Sequence, residues 1–378
     1  MDDTISIVSC SDYTPITAAA ALAAALAPIG GLNWVMPGMR IGIKVNLLRK
    51  AKPESATVTH PVLVTELCRM LVNRGAHPIV GDSPGGPWNG PFVSAIYAAS
   101  GMKLVETAGG QLNYDFSIRE VENPRGKMIK RFRYTAWLDD VDAVIDFAKL
   151  KTHALTTMTC AVKNFYGLLP GTRKVEFHYR FPKVEDFSNM LLDLNEYIRP
   201  KLTLVDAVDA MEGNGPAHGT PRRIGALIAA NDPYSADLLC AHLIGLPNAS
   251  VPTVQAAIAR GLCPASVSEL KLFGDPARFA VQDFKNLPPQ NSTLFCSSSK
   301  LKQTLAKRLF GTHPKVIQQD CTGCGLCTEV CPVGAITVKE KTASVDSKQC
   351  IRCFCCQELC PSGAVAVHRT VIARFLTK

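Results

Sequence analysis

The sequence predicts an α/β domain, with a largely parallel sheet and helices on both faces, followed by a small α+β domain. Over the first ~280 residues, short β-branched runs alternate with helical patterns, which is typical of a domain built around a parallel sheet. A stretch rich in proline and serine then interrupts this pattern. Beyond it, nine of the 15 cysteines lie between Cys321 and Cys360. We therefore expect the α/β domain at residues 1–285, a linker and basic helix at 286–310, and the cysteine-rich domain with its C-terminal tail at 311–378.

Local patterns predict the individual elements. A helix opens at Thr14-Pro15, because threonine caps a helix well and proline fits its first turn. A strand at His77–Gly81 runs into the turn Asp82-Ser83-Pro84-Gly85-Gly86. The other predicted strands are Thr4–Val8, Arg40–Leu47, Asp142–Phe147, Leu202–Val205 and Ile224–Ala229. The other predicted helices are Pro61–Asn73, Met158–Leu168, Val184–Tyr197, Tyr234–Ile244 and Pro252–Arg260.

Composition excludes several classes of protein. The 378 residues are 47% hydrophobic and 19% charged, which excludes wholesale disorder. The formal charge of +9 is too modest, and its basic residues too scattered, for a nucleic-acid-binding protein. The uncharged stretch Tyr13–Met39 is mostly alanine and is interrupted by proline and glycine, so we expect no membrane span. The start of the chain has no basic signal-peptide region, and the cysteine count is odd, so we expect a reducing, cytoplasmic location.

The cysteine-rich segment contains an internal duplication. The pattern C-x2-C-x2-C-x3-C-P occurs twice, with an offset of 350 − 321 = 29 residues for every cysteine. In this arrangement three closely spaced thiolates and the fourth cysteine of the other repeat hold each [4Fe-4S] cluster. The predicted ligands of cluster one are Cys321, Cys324, Cys327 and Cys360. The predicted ligands of cluster two are Cys350, Cys353, Cys356 and Cys331.

Two alternatives bear on these ligands. A zinc site has no use for the third cysteine and the proline of each repeat. Cys355 lies beside Cys356 and competes with it for iron, but the duplicated spacing favours Cys356. The segment resembles a bacterial-type ferredoxin domain over its whole length, which implies electron transfer without direct contact between iron and substrate.

Polar residues of the large domain collect where predicted strands end. They include Lys151-Thr152-His153, Lys163-Asn164 and Glu212-Gly213-Asn214-Gly215-Pro216. On these stretches, residues 1–280 are similar to the family called "domain of unknown function 362". The resemblance implies a frequent fusion to ferredoxin segments, and it brings no agreed reaction.

Ligands of open α/β sheets bind beyond the carboxyl ends of the strands, so these polar residues predict a pocket. Lysines and histidines there suit a carboxylate or a phosphate. The candidate catalytic residues are Lys151, His153, Lys163 and Asn164, with His153 as the acid. The candidate substrate-binding residues are Lys44, Asn46, Asp82, Ser83, Gly85, Gly86, Arg173, His178, Glu212 and Asn214. The competing interpretation is that these lysines are solvated surface charges and the glycines only form turns.

A second constellation comprises Asp206, Asp209 and Glu212, with His218 downstream. Its oxygen ligands suit a hard cation, and capping or turn roles are the alternative. Nucleotide-binding motifs are missing, so neither NAD nor ATP is supported. A flavin is possible without such a motif, although nothing in the sequence supports one.

These patterns predict an iron-sulfur oxidoreductase, a ferredoxin-type reductase. It would pass low-potential electrons to a small anionic substrate or cofactor in the α/β domain. The alternative is a non-enzymatic electron carrier or maturation factor whose large domain docks a partner protein. The basic segment with Lys300, Lys302, Lys307 and Arg308 either packs the domains together or docks an acidic electron donor such as a ferredoxin or flavodoxin.

The ligand assignment predicts the iron content of anaerobically purified protein, which is about eight irons per chain. Cys355→Ser should leave that content nearly unchanged, because Cys355 lies outside the repeat. Cys356→Ser should lose much of one cluster. Equal losses of iron from the two variants, measured by colorimetric iron assay, would contradict the assignment.

Overall fold

The computed structural model describes residues 3–287 and 312–369. In this part of the chain a mixed, nine-stranded sheet forms the centre of the large domain. Its strands are β1 (Thr4–Ser9), β2 (Arg40–Val45), β3 (His77–Gly81), β4 (Gln111–Leu112), β7 (Ala143–His153), β8 (Thr157–Thr159), β9 (Leu202–Glu212), β10 (Thr220–Ala230) and β11 (Lys271–Phe273). A separate hairpin consists of β5 (Ile118–Glu122) and β6 (Arg131–Thr135).

The sheet is mostly parallel, as the sequence predicts. Its order is β11-β1-β10-β9-β7-β2-β3-β4, with β8 paired to β7. The strands from β9 to β4 pair in parallel, whereas β10 runs antiparallel to both β1 and β9. From β2 the chain proceeds to β3 on one side and later returns to β7 on the other side. Such a change of direction opens a crevice at the carboxyl ends of the strands.

Helices cover both faces of this sheet. The helices are α1 (Pro15–Leu26), α2 (Pro61–Val72), α3 (Gly90–Ala99), α4 (Ala161–Asn164), α5 (Lys174–Arg180), α6 (Val184–Ile198), α7 (Pro233–Leu243) and α8 (Pro252–Ala259). Helices α1 to α3 share one hydrophobic core with Ile41, Ile43 and Val45 of β2. Gly42 of the same strand faces the opposite side, where α6 to α8 pack, as expected from the period of a strand.

Side-chain caps set the starts of several helices. Thr14 Oγ1 accepts the N–H of Thr17 at 3.3 Å, and Pro15 is the first residue of α1. Asp232 accepts the N–H groups of Tyr234 and Ser235 at the start of α7. Each cap satisfies backbone donors that have no partner within the helix. The cap at Thr14 confirms the predicted start of the first helix.

The predicted helix Met158–Leu168 is wrong over its first part. The chain instead turns back at Thr157, which has a φ of 64°, and β8 pairs with the end of β7. Helix α4 then begins late, because Asp237 Oδ1 accepts the N–H of Ala161 at 2.8 Å and fixes the first turn there. Residues Phe165–Leu168 continue as a 3-10 helix.

The small domain has two strand pairs and two short helices. Its elements are β12 (Thr312–Val316), α9 (Leu326–Glu329), β13 (Ile336–Lys339), β14 (Thr342–Val345), α10 (Cys355–Glu358) and β15 (Val365–Arg369). Strand β12 pairs with β15, and β13 pairs with β14. The predicted basic segment Lys300–Phe310 lies outside the described residues.

A buried ion pair crosses the large domain between β7 and β9. Lys149 Nζ lies 2.8 Å from Asp206 Oδ2, and both side chains are at most 1% exposed. Tyr13 donates to Asp206 Oδ1 at 2.9 Å, and its ring stacks on His60 at 3.5 Å between centroids. The carboxylate therefore joins the start of α1, the start of α2 and two central strands.

Asp206→Ala should lower the free energy of unfolding by about 3–5 kcal/mol, because it leaves the Lys149 ammonium buried without an anion. Denaturant unfolding followed by circular dichroism measures the change. The control is Asp283→Ala, which breaks the exposed pair with Arg222 and should cost at most about 1 kcal/mol. Equal losses of unfolding free energy in the two variants would show that the buried ion pair stabilises the fold no more than the exposed pair does.

Candidate functional site

The cysteines of the small domain form two groups. A small cavity of about 20 Å³ is lined by Cys321, Cys324, Cys327 and Cys360. Burial and the charges of Cys353, Cys350, Cys331 and Cys327 raise the pKa of Cys356. The first predicted set thus surrounds one small cavity, and the assignment of all eight ligands stays a prediction.

Backbone N–H groups point at these sulfurs. The N–H of Ala335 donates to Cys331 Sγ at 3.2 Å, and that of Ala343 donates to Cys321 Sγ at 3.4 Å. Hydrogen bonds of this kind stabilise thiolate ligands and tune iron-sulfur clusters. The donor set therefore fits [4Fe-4S] clusters.

Cys355 has a different environment from its neighbours. It is buried, and hydrogen bonding to Cys353 raises the pKa of its thiol while lowering the pKa of Cys353. Cys355 therefore keeps its proton beside a predicted ligand. Cys355 also lines a large cavity.

This cavity has a volume of about 820 Å³ and lies between the two domains. The large domain supplies residues that follow β2 and β3, the end of β7, and the segment from α4 to α5. The small domain supplies residues of α9 and α10 and their flanks. The predicted site residues that line it are Asn46, Asp82, Ser83, Gly85, Gly86, Lys151, Lys163, Asn164 and His178.

A hydrogen-bonded network holds the polar end of the cavity. Lys44 Nζ lies 2.7 Å from Asp82 Oδ1 and donates to Asn164 Oδ1 at 3.1 Å. Asn46 donates to the same amide oxygen at 3.3 Å and accepts from Lys151 Nζ at 2.7 Å. Lys44 itself lies behind the cavity wall, where it positions Asp82 and Asn164.

Two other lysines at the cavity donate to protein acceptors. Lys151 Nζ donates to Asn46 and to the carbonyl of Thr57, and burial together with Lys163 lowers its pKa to about 7. Lys174 Nζ donates to the carbonyls of Ser83 and Leu169, both at 2.6 Å. Burial lowers the pKa of Lys174 to about 7 as well. Bound negative charge would favour the protonated form of both groups.

Lys163 has a different environment from these lysines. It is 8% exposed and lines the cavity, and among the described residues no acceptor lies within hydrogen-bonding distance of its Nζ. Its one close contact is the ring of Tyr166, 5.2 Å from Nζ to the centroid. Burial lowers the pKa of Lys163, and the charge of Glu358 opposes that shift. An ammonium group so placed favours an anion in the cavity.

His178 also lines the cavity without a complete set of partners. Its Nδ1 is buried and has no hydrogen-bond partner among the described residues. The ring stacks on Phe187 at 4.6 Å between centroids. Burial lowers the pKa of His178 to about 3, so the ring is neutral near pH 7.

His153 lies behind the cavity rather than in it. Its Nδ1 accepts the N–H groups of Leu155 and Thr156 at 3.0 and 3.2 Å. The proton of the neutral ring therefore lies on Nε2, which is 2.9 Å from Glu358 Oε1. Burial lowers the pKa of His153 to about 4. This geometry gives His153 a partner in the small domain and no access to a substrate, so the predicted acid role does not fit.

Three other predicted residues lie away from the cavity wall. Arg173 belongs to the turn that precedes α5, outside the cavity lining. Glu212 Oε2 accepts the N–H of Lys285 at 3.0 Å. Asn214 contacts the small domain. Glu212 and Asn214 lie away from the cavity wall because the chain after β9 turns toward the small domain and not toward the end of β2.

The residues predicted to hold a hard cation each contact a different partner instead. Asp206 pairs with Lys149, and Asp209 pairs with Arg223 at 2.7 Å. His218 Nε2 lies 2.7 Å from the carbonyl oxygen of Cys360. No group of three or more acidic, histidine or cysteine side chains among the described residues is close enough to hold a single metal ion. These residues therefore have structural roles.

The small domain is clamped to the large domain at the end of α10. Gln357 is fully buried and donates from Nε2 to Asn214 O and Oδ1, both at 3.0 Å, and to Gly215 O at 3.1 Å. On the other side, Arg49 Nη1 donates to the carbonyl of Cys360 at 3.3 Å. The cavity is thus closed by specific contacts and not by loose association.

Sequence reasoning missed Glu358, Glu329, Tyr166 and Lys174, which all line the cavity. A signal for the two glutamates was available, because 358 − 329 = 29, the offset of the cysteine repeats. Lys174 and Tyr166 carried no such signal. Their positions depend on the 3-10 turn and on α5, whose packing no local pattern predicts.

The fold and the site define a class: a 4Fe-4S protein whose ferredoxin-like domain is docked on an α/β domain. A family model described as a 4Fe-4S dicluster domain matches residues 320–364. A second family model, domain of unknown function 362, matches residues 41–242. The chain belongs to this family. It is 31% identical over 293 residues to a thylakoid-associated protein of Synechocystis sp., an alignment that covers 75% of this chain and 88% of that protein.

Two solved structures are similar at low identity. The lactate racemase apoprotein from Thermoanaerobacterium thermosaccharolyticum aligns with a TM-score of 0.40 and 13% identity, over 66% of this chain and 60% of that one. A Thermotoga maritima protein aligns with a TM-score of 0.34 and 12% identity, over 57% and 55%. This chain spans less than two thirds of either structure, and neither resemblance bears on function.

Helices of the described residues are too short or too polar to span a bilayer.

Gln357→Glu should loosen the docking of the two domains, because it places a carboxylate against three oxygen acceptors at a cost of about 1–3 kcal/mol. Small-angle X-ray scattering should report a larger radius of gyration at unchanged iron content. The control is Gln318→Glu, an exposed position of the same domain. An unchanged radius for Gln357→Glu would mean that other contacts hold the domains.

Proposed function

We propose that this protein is an iron-sulfur oxidoreductase that binds two [4Fe-4S] clusters and reduces an anionic substrate or cofactor in the interdomain cavity. One observation carries the proposal: the cavity has the cluster-binding domain as one wall and the unpartnered Lys163 in the other. In this proposal an electron source and an anion site therefore share one cavity.

The bound clusters would supply single low-potential electrons. None of the eight predicted ligands lines the large cavity, whereas Cys355, Leu359 and Pro361 do. These residues separate the ligand sulfurs from the cavity by one layer of side chains. Contact between substrate and iron is thereby prevented, which supports outer-sphere transfer.

The residues of the large domain have distinct roles in this proposal. Lys163 contacts the anion and donates hydrogen bonds to it. Lys151, with a pKa of about 7, holds a proton near neutrality and is the best placed donor. Asn164 positions Lys44 and Asn46, and His153 positions Glu358.

We also propose a cytoplasmic location, because thiolate-bound clusters persist in reducing surroundings. The association of the Synechocystis relative with thylakoids suggests that this family also works beside membranes. An acidic ferredoxin or flavodoxin remains our proposed donor.

Lys163→Ala should abolish reoxidation of the reduced protein by its natural substrate while leaving both clusters intact. We would photoreduce anaerobic protein and add the low-molecular-mass fraction of a cell extract, then follow the cluster absorbance. Lys103→Ala, at an exposed position, is the matched control and should behave like the wild type. Methyl viologen should oxidise all three proteins equally.

If Lys163→Ala and the wild type reoxidise equally with the extract, chemistry does not occur at this cavity. The protein would then be an electron carrier or maturation factor whose large domain docks a partner.

A further inference from the structure

The interdomain cavity is lined by apolar side chains from both domains, which form its apolar wall. From the large domain come Leu48, Phe92 and Val175, and from the small domain come Leu326, Val330 and Leu359. Four prolines add to the same lining: Pro84, Pro87, Pro216 and Pro361. A ligand that fills this space therefore needs an apolar body, because burying polar groups there would leave them without partners.

Several buried polar groups of the lining already bond within the protein. Lys151 and Lys174 donate to protein carbonyl and amide oxygens. The N–H of Gly85 in the turn after β3 donates to the carbonyl of Leu48 at 3.1 Å. A phosphate group needs several free donors at once. These groups offer few, because most of their donors are already bonded within the protein.

Two buried side chains of the lining have a nitrogen with no hydrogen-bond partner among the described residues. Lys163 is the one cation lining the described cavity that is buried and has no hydrogen-bond acceptor, and His178 has a buried Nδ1 without a partner. A carboxylate accepts hydrogen bonds from about as many donors as these two residues supply. The charge of Glu358 also acts on Lys163, so a bound carboxylate would share this ammonium group with a protein carboxylate.

We propose that the ligand of this cavity is an amphipathic monocarboxylic acid, with its carboxylate at Lys163 and His178 and its apolar body along the apolar wall. This inference rests on the proposed function, since it names the substrate class of the same site. The volume of about 820 Å³ lies in the range of pockets that enclose ligands the size of drugs, roughly 300–1,000 Å³. Acetate or inorganic phosphate would leave most of this apolar surface uncovered.

Isothermal titration calorimetry of the full, anaerobically purified protein tests the proposal with octanoate, acetate, inorganic phosphate and octanamide. Octanoate should bind at least about 100-fold more tightly than acetate, since each buried methylene contributes about 0.8 kcal/mol. Lys163→Gln should weaken octanoate binding about tenfold or more and leave octanamide binding unchanged. Lys103→Gln is the matched control and should match the wild type.

Phe92→Ala tests the apolar wall separately and should weaken octanoate without affecting acetate. Phosphate or acetate binding as tightly as octanoate would overturn the proposal. Octanoate binding that is absent, or that is unchanged in Lys163→Gln, would overturn it too.

These outcomes are distinguishable from failure of the proposed function. If octanoate does not bind but reoxidation by the extract still depends on Lys163, the substrate class is wrong and the reductase role stands. If octanoate binds through Lys163 but the extract oxidises the Lys163→Ala variant normally, the binding site stands and the reductase role fails.

Discussion

The site depends on one buried ammonium group, that of Lys44, and on the need to satisfy it. Lys44 is 1% exposed at the end of β2, where burial of an unpaired charge would be prohibitive. It pairs with Asp82 after β3 and donates to Asn164 in α4. These contacts tie together three segments that are distant in sequence. They also determine where the neighbouring Lys163 lies, because it precedes Asn164 in the same short helix.

The small domain completes the site as well as supplying electrons. Without it, the polar residues at the ends of β2, β3 and β7 would face solvent, and Lys163 would need no ligand. Glu358 meets His153, and Gln357 meets Asn214, on successive residues of α10. The same short helix carries the predicted cluster ligand Cys356. Docking of the small domain, cluster binding and formation of the cavity therefore depend on the same turn of helix.

The lysines of the cavity differ in their hydrogen-bond acceptors and in their pKa values, which supports different roles for them. Several lysines reach it, but among the described residues Lys163 is the buried one that has no hydrogen-bond acceptor. Burial lowers the pKa of Lys151 and of Lys174 to about 7, so each is protonated below that pH and loses its charge above it. An anion would stabilise their protonated forms, and its binding would therefore be stronger at acidic than at alkaline pH.

The sequence by itself determined the two-domain organisation and predicts the cysteine ligands and the general position of the site. Ligand spacing is local, so the repeat at an offset of 29 residues predicts both sets, and parallel strands bring their polar ends to one edge of a sheet. Only the tertiary structure decided the role of each polar residue. Lys44 and Asn164 are 120 residues apart, and Glu358 approaches His153 across a domain boundary. No local pattern records which lysine finds an acceptor in the fold and which one is left to bind a ligand.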